Sequence, residues 1–406
     1  MKSDLDRLMT EHKFDGIVVM GPAAENTALR YITNGARLSE GIAVKKAGEQ
    51  PALICGLMER EEAAKSGLST SIYADYDLTK FMKESSTPFE ARLKMLAEIL
   101  NRHEITGTVG FYGRGDPGQS HLMLHDLAAM MPRLEIAGET STTIFDEAFM
   151  TKDDAEIALL KSVAERTNTV FGEIITFIKA HRVKDSIMVK ADESPLTIRD
   201  VKRYSRGRLI EYDLEDPGGM IFAQGHDAGV PHSRGEDGDA LTLGKGIIFD
   251  FSPRDMATGY YHDMTRTMCL GFAPPEVQQA YDEVSHIFHS ILESISVGDA
   301  YHSYQDRACD FFEQAGHQTV RSDYGVKNGY VHGLGHGLGL EIHERPGMYS
   351  YSKDIVQPRQ VITIEPGLYY PERDFGVRIE DTILIDADGE VHSLTPYPKN
   401  LVIDVG

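Results

Sequence analysis

The chain has 406 residues, 41% of them apolar and 26% charged, which is ordinary globular usage and excludes a disordered or fibrous protein. Its 63 acidic and 41 basic side chains give a net charge of −22, which disfavours nucleic acid as a partner because phosphates would be repelled. No apolar run approaches the roughly 20 residues that cross a membrane, and the charged N-terminal segment lacks the apolar stretch of a signal peptide. We therefore expect a cytoplasmic protein without a membrane partner.

The first 150 residues alternate short apolar runs with helical patterns. In chain order, the predicted elements are a strand over 15–20, a hairpin over 41–55, a helix over 88–103, a strand over 107–112 and a helix over 119–131. Strands that alternate with helices favour an α/β layer with a partly parallel sheet. Residues 1–150 are therefore predicted to form a smaller α/β domain.

The remainder of the chain has a different pattern. Apolar residues recur at helical spacing over 154–181, and a second amphipathic stripe begins at Pro274-Pro275, where proline is tolerated in a first turn. Short β-like runs then follow, namely VITIEP, GVRIEDTILI and NLVIDV. We predict an α+β domain over 151–406, with helices over a mostly antiparallel sheet.

Acidic and imidazole side chains are concentrated in this second domain. They are Asp250 in GIIFD, Asp263 in GYYHDMTRT, His332, His336 and His343 in VHGLGHGLGLEIHE, Glu365 in VITIEPG and Glu380 in GVRIED. A Walker phosphate loop, the dinucleotide glycine fingerprint, a GxSxG elbow and HExxH are all missing. Any one of the acids alone could simply lie on a solvated strand face, since a strand alternates its faces.

Taken together, the acids indicate a metal site. Four carboxylates gathered in one pocket cannot all stay ionised without compensating charge. Two divalent cations would balance them, and oxygen ligands with one imidazole suit manganese, cobalt, iron or zinc better than a soft thiolate metal. In two-metal sites the cations activate water and polarise a substrate carbonyl.

Four segments, GYYHDMTRT, HGLGHGLGLEIHE, IEPGLYYP and GVRIEDT, resemble in order and spacing those of the pita-bread metallopeptidases. The match covers roughly residues 220–390. It is closest to the branch that contains aminopeptidase P, prolidase and creatinase. The resemblance implies a pita-bread catalytic domain over 151–406 and a creatinase/prolidase-like α/β domain over 1–150.

The same resemblance assigns roles to individual residues. Five fall on the metal-ligand positions: Asp250, Asp263, His336, Glu365 and Glu380. Asp263 and Glu380 would bridge the two cations, and Glu365 is also the expected general base. The cofactor would be two divalent cations, with manganese expected first and cobalt, zinc or iron as alternatives.

Four further residues are implied near the substrate. His332 and His343 match the histidines that steady the tetrahedral intermediate or assist the leaving nitrogen, and His232 matches the substrate-side histidine upstream. Arg378 would contribute to substrate binding and orient the bridging acids. The plainer alternatives are a loop histidine at 232, a turn role for His332 among glycines and a surface pair at His343 and Glu344.

The resemblance implies a hydrolase that cleaves the peptide bond before proline in small peptides, through a hydroxide that bridges the metals. Alternatives on the same scaffold are a creatinase-like amidinohydrolase, a metal-dependent lyase and a binding protein without turnover. Creatinase-like proteins replace most of the ligands, whereas all five are intact here. The family's habit of self-association leads us to expect a homodimer.

One departure from the family concerns the loop SPRDMATG. Asp250 and Asp263 are 13 residues apart, two more than the family usually shows. An insertion of even length at a hairpin tip preserves the face on which each side chain lies. Both are therefore kept as candidate ligands, and the question is whether Asp255 reaches the site.

Overall fold

The computed structural model describes residues 4–406, which form two compact units, one ending at Ala148 and the other running from Phe149 to Gly406. Within the described residues, no helix combines the length and apolar character needed to span a membrane.

The first unit is an α/β layer. Its helices are α1 (Leu5–Glu11), α2 (Thr27–Ile32), α3 (Arg60–Ala64), α4 (Leu78–Glu84), α5 (Pro88–Arg102), α6 (Pro117–Met130) and α7 (Ile144–Phe149). Its strands are β1 (Gly16–Pro22), β2 (Glu40–Lys46), β3 (Ala52–Cys55), β4 (Ser69–Ile72), β5 (Gly107–Gly113) and β6 (Leu134–Ala137). All five elements predicted in this region are confirmed.

The strands of the first unit form one mixed sheet with the order β4-β3-β2-β1-β5-β6. β2 is antiparallel to both β1 and β3, whereas β5 is parallel to β1 and β6. α5 begins where Thr87 accepts a hydrogen bond from the backbone of Glu90, with proline at its first position. Its buried Leu96 and Leu100 pack with Val18 of the sheet, which gives this unit its own core.

The second unit contains four long helices. They are α8 (Asp154–Lys179), α9 (Ile198–Glu211), α10 (Pro275–Leu292) and α11 (Tyr301–Gln314). α8 and α10 confirm the two helices predicted from periodicity. At the start of α8, the side chain of Asp153 accepts from the backbone of Glu156, and Glu156 accepts from the backbone of Asp153.

The strands of the second unit are short. They are β7 (Arg182–Lys184), β8 (Ile187–Val189), β9 (Leu214–Glu215), β10 (Ile221–Gln224), β11 (Gly246–Phe251), β12 (Arg254–Asp255), β13 (Met264–Leu270), β14 (His336–Gly337), β15 (Glu344–Gly347), β16 (Val361–Ile364), β17 (Gly367–Tyr370), β18 (Phe375–Arg378), β19 (Asp381–Ile385), β20 (Val391–Ser393) and β21 (Val402–Ile403). The larger sheets have the orders β10-β11-β13-β21 and β15-β14-β16-β19-β20. Their pairings are antiparallel except for β13 with β21.

A bridge between Thr265 and Glu380 connects these two sheets. α10 lies against β18, and its buried Val284 and Phe288 share one apolar cluster with Val377 and Ile364 of the strands. Burial of this helix stripe fixes the strands whose ends carry the acidic residues.

Candidate metal centre

The first two candidate ligands come from a pair of antiparallel strands. β11 and β13 pair so that Asp250 lies opposite Thr265. Asp263 precedes Thr265 by two residues, and side chains two apart on a strand share a face, as do directly opposed ones. Asp250, Thr265 and Asp263 therefore project from one face. The register confirms that the longer loop preserves the facing of both aspartates.

The two glutamates come from a second antiparallel pair. β16 and β19 place Ile364 opposite Asp381, so the next pair in the same register is Glu365 with Glu380. The bridge from Glu380 to Thr265 then brings this pair to the face that carries Asp263. Two antiparallel strand pairs that are far apart in sequence thus deliver four carboxylates to one place.

His336 completes the group from β14. Its Nδ1 lies 3.0 Å from the carbonyl oxygen of Gly337, and because a carbonyl only accepts, this nitrogen carries the proton. Burial lowers the pKa of His336 to about 3, so the ring is neutral and Nε2 keeps a free lone pair. That Nε2 lies 3.5 Å from Glu365 Oε1 and 3.9 Å from Asp263 Oδ2. A metal-ligating histidine commonly has this arrangement.

The donor set fits a cation. Asp263, His336 and Glu380 each offer a ligand atom, and the three atoms lie within 4.8 Å of one another. Within residues 4–406, the buried Oδ1 of Asp263 and Oε1 of Glu380 have no hydrogen-bond partner. Burial and the surrounding carboxylates raise the pKa of both acids well above the ordinary range. Orphaned oxygens and crowded negative charge are what a divalent cation would relieve.

The other two acids lie at the edge of this trio. The side chains of Asp250 and Glu365 are 22% and 20% exposed, whereas Asp263 and Glu380 are almost fully buried. Burial and the nearby Asp250 carboxylate raise the pKa of Glu365 to about 8, although the Arg378 guanidinium opposes the rise. All five candidate ligands therefore converge, with Asp250 and Glu365 on the accessible side.

Arg378 is buried, with 3% exposure, and organises the acids instead of facing solvent. Its Nη2 donates to Asp250 Oδ2 at 2.6 Å, and its Nε donates to Thr265 Oγ1 at 3.2 Å. Thr265 in turn donates to Glu380 Oε2 at 2.7 Å. One guanidinium and one hydroxyl thus orient two of the carboxylates.

Comparison with protein families gives a match to metallopeptidase family M24 over residues 158–387, more than half of the chain. The chain belongs to metallopeptidase family M24. It is therefore a peptidase, and its substrates are peptides. The buried Asp/His/Glu group lies within the matched residues and could hold a metal of the kind that this family uses.

Two curated relatives show how far the likeness extends. An uncharacterized peptidase of Staphylococcus epidermidis, SERP1271, is 29% identical over 360 residues, which is 86% of each chain. The Xaa-Pro dipeptidase of Pyrococcus furiosus is 33% identical over 229 residues, which is 53% of this chain and 60% of the relative. The higher of the two identities, 33%, therefore applies to only part of the Pyrococcus dipeptidase.

The fold is confirmed by solved structures. An Xaa-Pro dipeptidase from Bacillus anthracis superposes with a TM-score of 0.76 at 21% identity, covering 99% of both chains. This likeness extends over both units, and it establishes the pita-bread M24 fold with an α/β domain ahead of it.

In this M24 chain His332 is held at both ring nitrogens. Its Nδ1 donates to the carbonyl of its neighbour Gly333 at 2.7 Å, so Nε2 accepts from the Tyr369 hydroxyl at 2.8 Å. Arg378 Nη1 donates to the same hydroxyl at 2.8 Å. A Cβ at Gly367 would lie 2.6 Å from that hydroxyl, so the glycine makes room for it. His332 is thereby connected to Asp250 through Tyr369 and Arg378.

His343 and His232 are exposed and lie near one another. The ring of His343 packs edge-on against His336, with centroids 4.4 Å apart. His232 lies close enough that its charge lowers the pKa of both His343 and His332, after burial as the main cause. His232, His332 and His343 thus lie near one another, and their roles toward a substrate stay predictions.

The two-residue insertion leaves the site undisturbed. Asp255 lies in β12, which pairs with β9, and its carboxylate accepts from Thr258 and from Arg166, the latter at 2.7 Å. The neighbouring Arg254 donates to Glu215 at 2.7 Å. Asp255 therefore contributes to loop structure and does not join the candidate ligands.

Sequence reasoning missed Thr265 and Tyr369. Both lie inside motifs that were recognised, but neither is a metal-ligand type, so nothing distinguished them from ordinary strand residues. The available signal was strand alternation, since Thr265 is two residues from Asp263 and Tyr369 shares a face with Gly367 opposite Arg378.

Proposed function

We propose that this M24 chain is a dinuclear metallopeptidase that cleaves the bond before proline, as an Xaa-Pro aminopeptidase or dipeptidase. The observation that carries the proposal is the convergence of five ligand-type side chains whose innermost oxygens are buried without partners. The proline preference is supported by the 33% identity to an Xaa-Pro dipeptidase. We assign catalysis to residues 151–406 and the accessory α/β role to 1–150.

Asp250, Asp263, His336, Glu365 and Glu380 would hold the two cations. Manganese is the first candidate because the set is rich in oxygen and has one imidazole, and cobalt, zinc or iron are alternatives. When bound, such cations polarise the peptide carbonyl and lower the pKa of water.

Glu365 is the residue that we assign to proton transfer from the attacking water. It is more accessible than Asp263 or Glu380, so a substrate can approach it. It also lies beside His336, whose Nε2 is 3.5 Å from Glu365 Oε1. A general base must lie within hydrogen-bond reach of the proton that it takes.

His343 is our candidate donor to the departing proline nitrogen. It is exposed, and within residues 4–406 its ring has no hydrogen-bond partner, so it is free to meet a substrate. His332 has both nitrogens engaged, and it would act by holding Tyr369 and Arg378 in place. His232, near His343, would also contact the substrate.

The test is cleavage of Ala-Pro and of Ala-Ala by protein stripped of metal and then reloaded with Mn²⁺. We expect alanine release from Ala-Pro only in the reloaded protein, and a loss of about 10²-fold or more in Glu365→Gln. Glu372→Gln, at an exposed position outside the candidate ligand set, should keep full activity. Turnover that survives chelation, or activity on creatine or a sulfonium substrate in place of the dipeptide, would overturn the proposal.

A further inference from the structure

A buried ion pair lies outside the candidate metal centre. Lys152, two residues before α8, is 1% exposed, and its Nζ donates to Glu344 Oε2 at 2.6 Å. The side chain of Glu344 is 3% exposed. Burying two charges is costly unless their geometry is good, and removing one partner leaves the other uncompensated. Such a pair is therefore well suited to fixing a local arrangement.

Each partner of this pair is anchored a second time. The backbone nitrogen of Lys152 donates to the carbonyl of Arg359 at 2.8 Å, and its Nζ also donates to the carbonyl of Phe149. Glu344 Oε1 accepts from the backbone nitrogen of Glu341 at 3.0 Å. The ammonium and the carboxylate are thus both fixed by backbone groups.

The chain from 339 to 344 wraps around this pair. A Cβ at Gly339 would lie 2.6 Å from the Glu344 carboxylate and 2.9 Å from Lys152 Nζ, so a larger residue there would displace the pair. The nitrogen of Gly339 donates to the carbonyl of Glu341 at 3.2 Å, and its carbonyl accepts from Tyr261 at 2.8 Å. The same turn carries His343, directly before Glu344.

His343 depends on this turn for its position. Its ring makes no hydrogen bond within the described residues, and the ring contact that it does make is with His336. Its place is therefore set by the backbone on either side, and the Glu344 side of that backbone is fixed by Lys152.

We propose that Lys152 and Glu344 are positioning residues that hold the 339–344 turn and thereby the imidazole of His343. The inference rests on the proposed function only where it says that loss of Lys152 slows turnover. The structural part, that Lys152 sets the place of His343, stands by itself.

The kinetic test is a double-mutant cycle between Lys152→Met and His343→Ala. Lys152→Met should lower kcat about tenfold or more while KM changes less than about threefold. In the His343→Ala background the same substitution should cost less than about twofold, because the residue that it positions is already gone. Equal losses in both backgrounds would overturn the proposal.

The matched control is Lys45→Met, which removes another buried lysine whose Nζ is paired with a carboxylate, that of Asp6 at 2.7 Å. Its effect should be the same with and without His343. A second variant, Lys152→Met with Glu344→Leu, replaces the pair with apolar side chains that restore thermal stability. We expect this stable variant to stay slow, and full turnover in it would count against positioning.

A readout without metal or turnover completes the test. Long-range ¹H–¹⁵N spectra of the imidazoles, recorded on metal-free protein, should show the His343 resonances shifted or broadened in Lys152→Met and unchanged in Lys45→Met. Unchanged His343 resonances in Lys152→Met would refute the inference. Because this arm needs no substrate, it decides the positioning role even if Ala-Pro is not cleaved.

Discussion

At the scale of single residues, Arg378 is the side chain on which the acidic group most depends. It is the buried cation that reaches Asp250, and it extends through Thr265 toward Glu380 and through Tyr369 toward His332. Gly367, opposite Arg378 in the β17–β18 pair, leaves room for the Tyr369 hydroxyl to which Arg378 donates.

Replacing Arg378 with methionine should weaken metal binding. The substitution leaves Asp250 and Tyr369 without their donor, and loss of such an orienting partner typically costs about 10–100-fold in metal affinity. The affinity for Mn²⁺ is measured by isothermal titration calorimetry. Arg373→Met removes an exposed arginine paired with Glu276 and should leave the affinity unchanged; equal affinities for both variants would show that Arg378 does not support the ligands.

At the scale of elements, α9 offers a test of local energetics. Gly207 lies inside this helix, and a Cβ there would meet no atom within 4 Å. Glycine in a helix interior costs up to about 1 kcal/mol relative to alanine. Gly207→Ala should therefore raise the free energy of unfolding by about 0.5–1 kcal/mol in a urea titration, without a change in activity. A decrease in stability would contradict this reading of α9.

Asp255, in the β9–β12 pair, should make the free energy of unfolding depend on pH in the acid range. Burial opposes the charge of Asp255, but hydrogen bonds from Thr258 and the nearby Arg166 outweigh it and lower the pKa below the ordinary 3.8. A lowered pKa adds stability above the ordinary value, and that stability is lost as the pH falls through the folded value.

Asp255→Asn should accordingly be less stable than the native chain by about 1–3 kcal/mol at pH 7, since Arg166 loses the carboxylate to which it donates. The difference should shrink below pH 3.8. Denaturant titrations at pH 7 and at acid pH measure both. A difference that stays constant with pH would show that the charge of Asp255 is not what stabilises the loop.

Several elements could be predicted from the sequence because their signals are local. The stripe of α10 and the turn at Gly48, where φ is +77°, depend on neighbours along the chain. The β9–β12 pairing and α11 were not predicted. β9 and β12 are distant in sequence, and two-residue strands carry no periodicity to detect. α11 does carry a local signal, since its buried Tyr304, Ala308 and Phe312 recur at helical spacing.

At the scale of the whole molecule, four motifs fix the identity and order of the candidate ligands Asp263, His336, Glu365 and Glu380, and Asp250 ends the apolar run GIIFD that precedes them. The residues that contact or support these candidate ligands were harder to predict. Tyr369, Thr265 and Lys152 matter through contacts made across the fold, and a tyrosine, a threonine or a lysine is common on strands and helix starts for other reasons. The register of β11 with β13 brings Thr265 into the site, and the register of β17 with β18 brings Tyr369 there.

We also expect the whole chain to form a homodimer, as the family resemblance implies. Light scattering at micromolar concentration should give about twice the mass of one chain. A mass equal to that of one chain under those conditions would refute the dimer.

The most direct test of the account is the number of Mn²⁺ ions that the purified chain binds, measured by equilibrium dialysis and elemental analysis. The convergence of Asp250, Asp263, His336, Glu365 and Glu380 predicts close to two ions per native chain and a clear loss of bound metal in Asp263→Asn and in Glu380→Gln. A native chain that binds none, or variants that bind as much as the native chain, would contradict the existence of this centre.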